Sequence, residues 1–223
     1  MKRSEAPFML IPSQAGMTLI ELLVVVVLIG ISAAISVGSY SFVMRRERLN
    51  TLALEVAGWL EEARSLASRE VSESTTTGGC AIILGGPVSS AKTGDVIAVV
   101  QGDASNTCSV RQTSLRIPDT QGNTFKIGVY GLGSGKAAND SSNPCTASMG
   151  LNCSGSVYMY FTPRGMWSSD SIQAGQDMEI RIVHSDGKSP KRCVRVSSIL
   201  GSIDIGQAST GDIATSCDTW GRI

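Results

Sequence analysis

The side chain least at home in its surroundings is a carboxylate. Glu21 lies in "SQAGMTLIELLVVVVLIGISAAIS", residues 13–36, and no charged residue occurs from Leu22 to Met44. A carboxylate at the centre of a bilayer costs ~2.5 kcal/mol or more, and less near a helix end, where it reaches the interface. Three roles compete for such a segment: a cleaved secretory signal, a membrane anchor with one tolerated charge, or a helix built to leave the lipid and pack against copies of itself. The third role needs a cation to meet the carboxylate. A cut after Gly16 would supply one, the new α-amino group of Met17, one helical turn away in the same chain or beside Glu21 in a neighbouring chain. An ordinary signal-peptide site lies after the apolar region instead. "ISAAIS" is the nearest match, and cutting there would sever the run from the helical stretch beyond it.

The cysteines offer a second chemistry. Cys80, Cys108, Cys145, Cys153, Cys193 and Cys217 all lie downstream of the apolar run. An even set confined to one side of a membrane segment points to disulfides in an oxidising compartment. Six cysteines allow fifteen pairings, so connectivity stays open. The short polar loop "CTASMGLNC" makes Cys145 with Cys153 the simplest pair. Metal ligation is disfavoured: there is no CxxC pair, and His184 is the only histidine.

His184 also stands alone as a base for a Ser-His-Asp or Cys-His arrangement. Its place before the turn in "IRIVHSDGKSP" reads as solvated. "GLGSGK" (131–136) lacks the Walker spacing and reads as a flexible loop. Glu61 and Glu62 are adjacent on a helix and point to different faces, which fits solvation rather than acid–base work. The best local basic cluster is "SPKRCVR" (189–195) with Arg181. Arg181, Lys191, Arg192 and Arg195 are either ordinary surface charge or a weak contact for DNA phosphates. With 19 basic and 19 acidic side chains, no wider charge pattern advertises nucleic acid or a basic partner. No catalytic residue, cofactor or metal is expected, so the chain reads as a non-enzyme.

These residues must be carried by elements. The length of 223 residues suits one soluble domain plus an appendage. Residues 1–16 read as a leader, with two prolines and no helical period. The apolar run after them would span roughly 30 Å, enough for a bilayer core. It continues without proline into an amphipathic stretch. Leu49, Leu52, Ala53, Val56, Leu60, Ala63, Ala67 and Val71 recur in steps of three and four, opposite Arg46, Glu47, Glu55, Glu61, Glu62, Arg69 and Glu70. One helix of about 55 residues, roughly 80 Å long, is predicted, ending at "STTTGG" (74–79).

Downstream, the period becomes two. "CAIIL" (80–84), "DVIAVVQ" (95–101), "SLRI" (114–117), "FKIGVY" (125–130), "SVYMYF" (156–161), "MEIRIV" (178–183) and "CVRVSS" (193–198) read as strands. Met178, Ile180 and Ile182 should point inward, with Glu179 and Arg181 facing solvent. The fold class is therefore α+β: a long N-terminal helix packed on an antiparallel β-sheet or sandwich domain with disulfides.

"GMTLIELLVVVVLIGI" resembles the class III signal and N-terminal helix of type IV pilins and type II secretion pseudopilins. The resemblance implies that a prepilin peptidase cuts after Gly16 and methylates Met17, and that Glu21 pairs with the N-terminal amine of an adjacent subunit. The segment "LALEVAGWLEEARSLASREV", with Ala63, Arg64 and Ala67, is similar to the helix end of the GspH/FimT group of minor pseudopilins. "YMYFTPRGMW", with Phe161, Pro163 and Gly165, resembles that group's turn, and "RCVRVSSILGSIDIG" its closing strand pair around Gly201. There are departures. The mid-helix proline of many pilins is Gly38 here, a residue that also softens a helix, by ~1 kcal/mol. The Gly-Arg-x-Arg motif of some DNA-binding FimT-like proteins is missing its second arginine, since the matching turn reads "GSIDIG" and the chain ends in "WGRI".

The resemblance implies four segments: a leader (1–16), a transmembrane and filament-core helix (17–44), an amphipathic half (45–73) and a β domain (74–223). It implies a minor pilin or pseudopilin that primes assembly of a type IV pilus or secretion pseudopilus. Its partners would be other pilin subunits, the prepilin peptidase and the inner membrane, with the C-terminal domain outside. A DNA-uptake subunit is the alternative.

Overall fold

The computed structural model describes residues 16–69, 80–85, 91–101, 114–119, 124–131, 156–162, 164–169, 172, 175–188 and 190–222. The chain divides into two compact units, Met1–Val43 and Met44–Ile223. One α-helix, α1 (Leu19–Arg69, 51 residues), begins in the first unit and ends in the second. It runs through Gly38.

In the first unit the helix is exposed on every described side chain from Leu19 to Ser36. It is long and apolar enough to cross a membrane. Ser32 Oγ donates to Leu28 O at 2.8 Å and Ser36 Oγ to Ser32 O at 2.9 Å. The two hydroxyls thus find partners within the helix, as a hydrocarbon surrounding requires.

The second unit is built on the predicted stripe. Leu49, Leu52, Ala53, Val56, Leu60, Ala63 and Ala67 are all buried, and Ala57 and Trp59 widen the face. Burying a large aliphatic side chain stabilises by ~1.5–3 kcal/mol, so this stripe is what holds the helix to the domain. Val71 lies outside the described residues.

The stripe shares one core with two five-stranded antiparallel sheets. The first consists of β1 (Cys80–Gly85), β2 (Val96–Gln101), β3 (Ser114–Arg116), β5 (Ser156–Phe161) and β6 (Trp167–Ser169), in the order β3-β2-β1-β5-β6. The second holds β4 (Phe125–Gly131), β7 (Met178–His184), β8 (Lys191–Val196), β9 (Ile203–Ala208) and β10 (Thr219–Arg222), in the order β10-β9-β8-β7-β4. The chain crosses from the first sheet to the second at β4, returns for β5 and β6, and crosses again at β7. Every strand read from sequence is present within a few residues. The short β6 and the terminal β10 carry too little alternation to be legible.

Two expectations are corrected. Met178, Ile180 and Ile182 do point into the core, but Glu179 and Arg181 do not face solvent: every residue of β7 is buried. The segment between β9 and β10 crosses that outer face and covers it, with Ile213, Ala214, Ser216 and Cys217 all hydrogen-bonded to Glu179 or Arg181. His184 is not solvated either. Its ring lies 5.0 Å from that of Phe125, and Nε2 is 3.3 Å from Arg45 O on α1.

Candidate functional site

The N-terminal residues that could do chemistry are presented openly. Gly16 and Met17 precede the helix and are exposed. Thr18 caps it: its carbonyl accepts from Glu21 N at 3.1 Å and Leu22 N at 3.2 Å, and its Oγ1 accepts from Glu21 N at 3.3 Å. "TLIE" therefore works as the helix-start pattern of a hydroxyl residue with Glu three positions later, a local signal that the apolar run beside it overshadows. Glu21 occupies the third helical position, where the helix dipole favours a carboxylate by ~0.3–1 kcal/mol. Its side chain stays exposed, and no ion pair engages it among the described residues. The geometry thus offers an accessible peptide bond after Gly16, and a carboxylate that capping holds near the helix start without neutralising it.

The second set of expected residues lies elsewhere and in a different state. Arg181 is 1% exposed, Lys191 0% and Arg192 5%, so these three do not form a surface patch. For Arg181 and Lys191 the cause is the cover formed by residues 212–217, and Arg192 is tied instead to α1 and β9. Arg181 Nη2 donates to Glu179 Oε2 at 2.9 Å, and Arg181 Nη1 to Ala214 O at 2.6 Å. The Arg181 guanidinium also lies 4.0 Å over the Tyr130 ring. Lys191 Nζ reaches Asp212 O, Thr215 O and Thr215 Oγ1 at 2.9, 2.6 and 2.8 Å. Burial, and then the Arg181 charge, hold the lysine below its usual pKa. Glu179 completes the network by accepting from Ser216 Oγ at 2.7 Å and Cys217 N at 2.9 Å.

The remaining members are also committed. Arg192 donates to Asn50 Oδ1 on α1 and, at 2.9 Å, to Gln207 Oε1. Arg195 pairs with Asp204 at 3.0 Å and stacks over Trp220 at 4.3 Å. Charges already paired inside the fold are poor contacts for DNA phosphates, which favour mobile surface cations. Sequence reasoning missed this network. Its trace is Glu179 and Arg181 two apart on one strand, which places opposite charges side by side on one face.

Cys193 and Cys217 form a disulfide that fastens the covering segment to β8. Cys80 is also disulfide-bonded, and Cys108, Cys145 and Cys153 lie outside the described residues. Atoms of Glu179, Cys193 and Cys217 lie within 4.8 Å of one another. They do not make a metal site in this state: the sulfurs are bonded to each other, and the carboxylate is saturated by Arg181, Ser216 and Cys217.

A third arrangement joins the end of α1 to two turns. Arg64 Nη2 donates to Leu200 O at 2.9 Å. Gly165, at φ 77°, lies so close that a Cβ there would come within 2.8 Å of Arg64 Nε. Gly201, at φ 59°, faces Gly165 O at a distance no side chain would allow. Both positions therefore need glycine for conformation and for space. Trp167 Nε1 closes the group by donating to Ser197 O at 3.0 Å. Ala63, Ala67 and Phe161 are buried beside it, and Pro163 lies outside the described residues.

Comparison with curated proteins and with solved structures returns no match. Comparison with family models does: residues 11–37 match the prokaryotic N-terminal methylation motif. That stretch contains Gly16, Met17, the Thr18 cap and Glu21, so the open N-terminus described above is a type IV prepilin-like segment.

Proposed function

We propose that the chain is a minor pilin or pseudopilin of the GspH/FimT kind, which primes assembly of a type IV pilus or a type II secretion pseudopilus. The observation that carries the reading is the methylation motif set at the start of a 51-residue helix whose first part is apolar and exposed. Processing removes residues 1–16, and the amino group of Met17 becomes available to Glu21 of a neighbouring subunit. Transfer of the helix from lipid to a filament core is thermodynamically easy, because both surroundings are apolar. The disulfide Cys193–Cys217 supports placing the C-terminal domain on the oxidising side of the inner membrane. The subgroup assignment draws support from Arg64, Gly165 and Gly201. They come from three separated motif segments and meet at one point.

The test is the mature N-terminus. Mass spectrometry should find a chain beginning with N-methylated Met17, and an intact Met1 in the membrane-resident protein would refute the reading. Glu21→Ala should insert into the membrane normally yet drop out of filaments. Normal incorporation of that variant would remove the pairing role.

A further inference from the structure

The two turns joined through Arg64 leave an apolar platform uncovered. Met166 is 45% exposed, Ile199 77% and Leu200 64%, and all three flank the Gly165–Gly201 contact. Among the described residues of the second unit, only Leu54 and Tyr160 are comparable exposed large hydrophobics. Adjacent uncovered apolar side chains on rigid turns mark an interaction site more often than an accident. The platform also has a cation at its edge. Arg164 projects beside it without an ion-pair partner among the described residues. Arg64 and Arg164 line an adjoining open groove of about 320 Å³, together with Glu61, Ser65 and Ser68. Glu61 lies 3.7 Å from Arg64, so Arg164 is the cation left to meet an occupant. An occupant must therefore be apolar against Met166, Ile199 and Leu200 and acidic where it meets Arg164.

The same chain displays such a surface. Thr51, Leu54, Glu55, Gly58 and Glu62 are all exposed and recur in steps of three and four, on the side of α1 away from the core. Leu54 is the lone exposed aliphatic side chain of this stripe, and open space lies around Gly58, so a partner can approach the backbone closely. Glu55 and Glu62 supply the negative charge. Arg64 lies about 200° around the helix from Glu62, at 100° per residue, so stripe and platform are separate faces. A contact between two different faces of identical chains is heterologous, and its repetition generates an open helical array rather than a closed dimer.

We infer that the platform of Arg164, Met166, Ile199 and Leu200 docks the Leu54–Glu55–Glu62 stripe of a second copy of this chain. The inference rests on the filament reading for bringing copies side by side, and it adds the surfaces that set their register. Leu54 seats against Ile199 and Leu200, and Arg164 meets the two glutamates.

The experiment uses the full chain in its own membrane. A benzophenone amino acid replaces Ile199 in one tagged copy, and a differently tagged copy is co-produced. Irradiation should give a species carrying both tags, with the cross-link mapped to residues 51–62. Arg164→Glu in the first copy should lower its yield at least about tenfold, because like charges are set opposite each other. Glu55→Arg with Glu62→Arg in the second copy should restore it. Resistance of each variant to limited proteolysis shows that it has folded. If Arg164→Glu is degraded, Arg164→Gln replaces it, with a smaller loss and the same order of rescue expected. No cross-link, a cross-link to lipid, to another protein or to another region of the chain, or a yield indifferent to Arg164 would overturn the inference. The N-terminus is read in the same sample: methylated Met17 without the cross-link rejects the docking alone, whereas an unprocessed Met1 rejects the filament reading.

Discussion

Removing the carboxylate of Glu179 tests whether the covering segment is held by a buried charge network. Glu179 is 0% exposed and Arg181 1%, so solvent cannot compensate the cation once its partner has gone. Glu179→Ala also strips acceptors from Ser216 Oγ and Cys217 N, both on the covering segment. Breaking a buried pair by removing one partner costs ~3–5 kcal/mol, a large share of the ~5–15 kcal/mol that holds a domain folded. The assay is urea denaturation of the oxidised full chain in detergent. With a slope of about 2 kcal/mol/M, the midpoint should fall by about 2 M. Limited proteolysis should then cut within residues 209–216 before the strands. Arg181→Ala in the Glu179→Ala background should cost less than the two single changes added, because the orphaned charge is gone. A loss for Glu179→Ala at the level of an exposed ion pair, ~0–1 kcal/mol, would refute the reasoning.

Gly201→Ala should destabilise by at least ~1–3 kcal/mol, the cost of a side chain in the left-handed region, with more from its collision with Gly165 O; thermal unfolding measures it. Leu52→Ala, at a fully buried position of the helix stripe, should cost ~2–5 kcal/mol by the same measurement. Burial holds the His184 pKa below 6.5, against the opposing effect of a hydrogen bond to Arg45 O. The unfolded chain therefore binds this proton first, and stability should decline as pH falls below about 6.5. Comparing denaturation midpoints of the parent and His184→Gln between pH 7.5 and 5 isolates the effect: the pH slope of the variant should be shallower.

The helix is legible in the sequence because its two halves carry unambiguous patterns, one apolar all round and one striped from Leu49 to Ala67. Most strands are legible for the same reason, and "MEIRIV" yields the correct inward set. What alternation cannot show is whether the other face of a strand is wet. Glu179, Arg181, Lys191 and Arg192 have the composition of a solvated face, and composition alone reads them as one. The burial of Glu179, Arg181 and Lys191 depends on where residues 212–217 lie, a segment with no periodic pattern of its own, and that of Arg192 on the approach of Asn50 and Gln207. The disulfide between Cys193 and Cys217 cannot be chosen among the alternatives from spacing, because the pairing reflects this long-range crossing. At the N-terminus, Glu21 stands out as a lone carboxylate at the start of an apolar run, whereas the roles expected of Gly16 and Met17 come from the resemblance of the stretch around it. The Thr18 cap adds the local reason why the helix begins where it does.

The alternation of the chain between its two sheets sets the order in which the domain can be completed. β1 finds its second neighbour only when β5 arrives, and β4, apart from the bridge of Phe125 to Ala91, remains unpaired until β7 is available. Neither sheet is a contiguous stretch of chain: the first has all its strands once β6 has emerged, whereas the second waits for β7 to β10. The closing strands, the covering segment and its cysteine all come from the final residues. Such non-local pairing folds slowly, and the unpaired edges of β4 persist meanwhile as sites of misassociation. C-terminal truncation should therefore strip the second sheet, β10 first, while every strand of the first sheet remains in the chain.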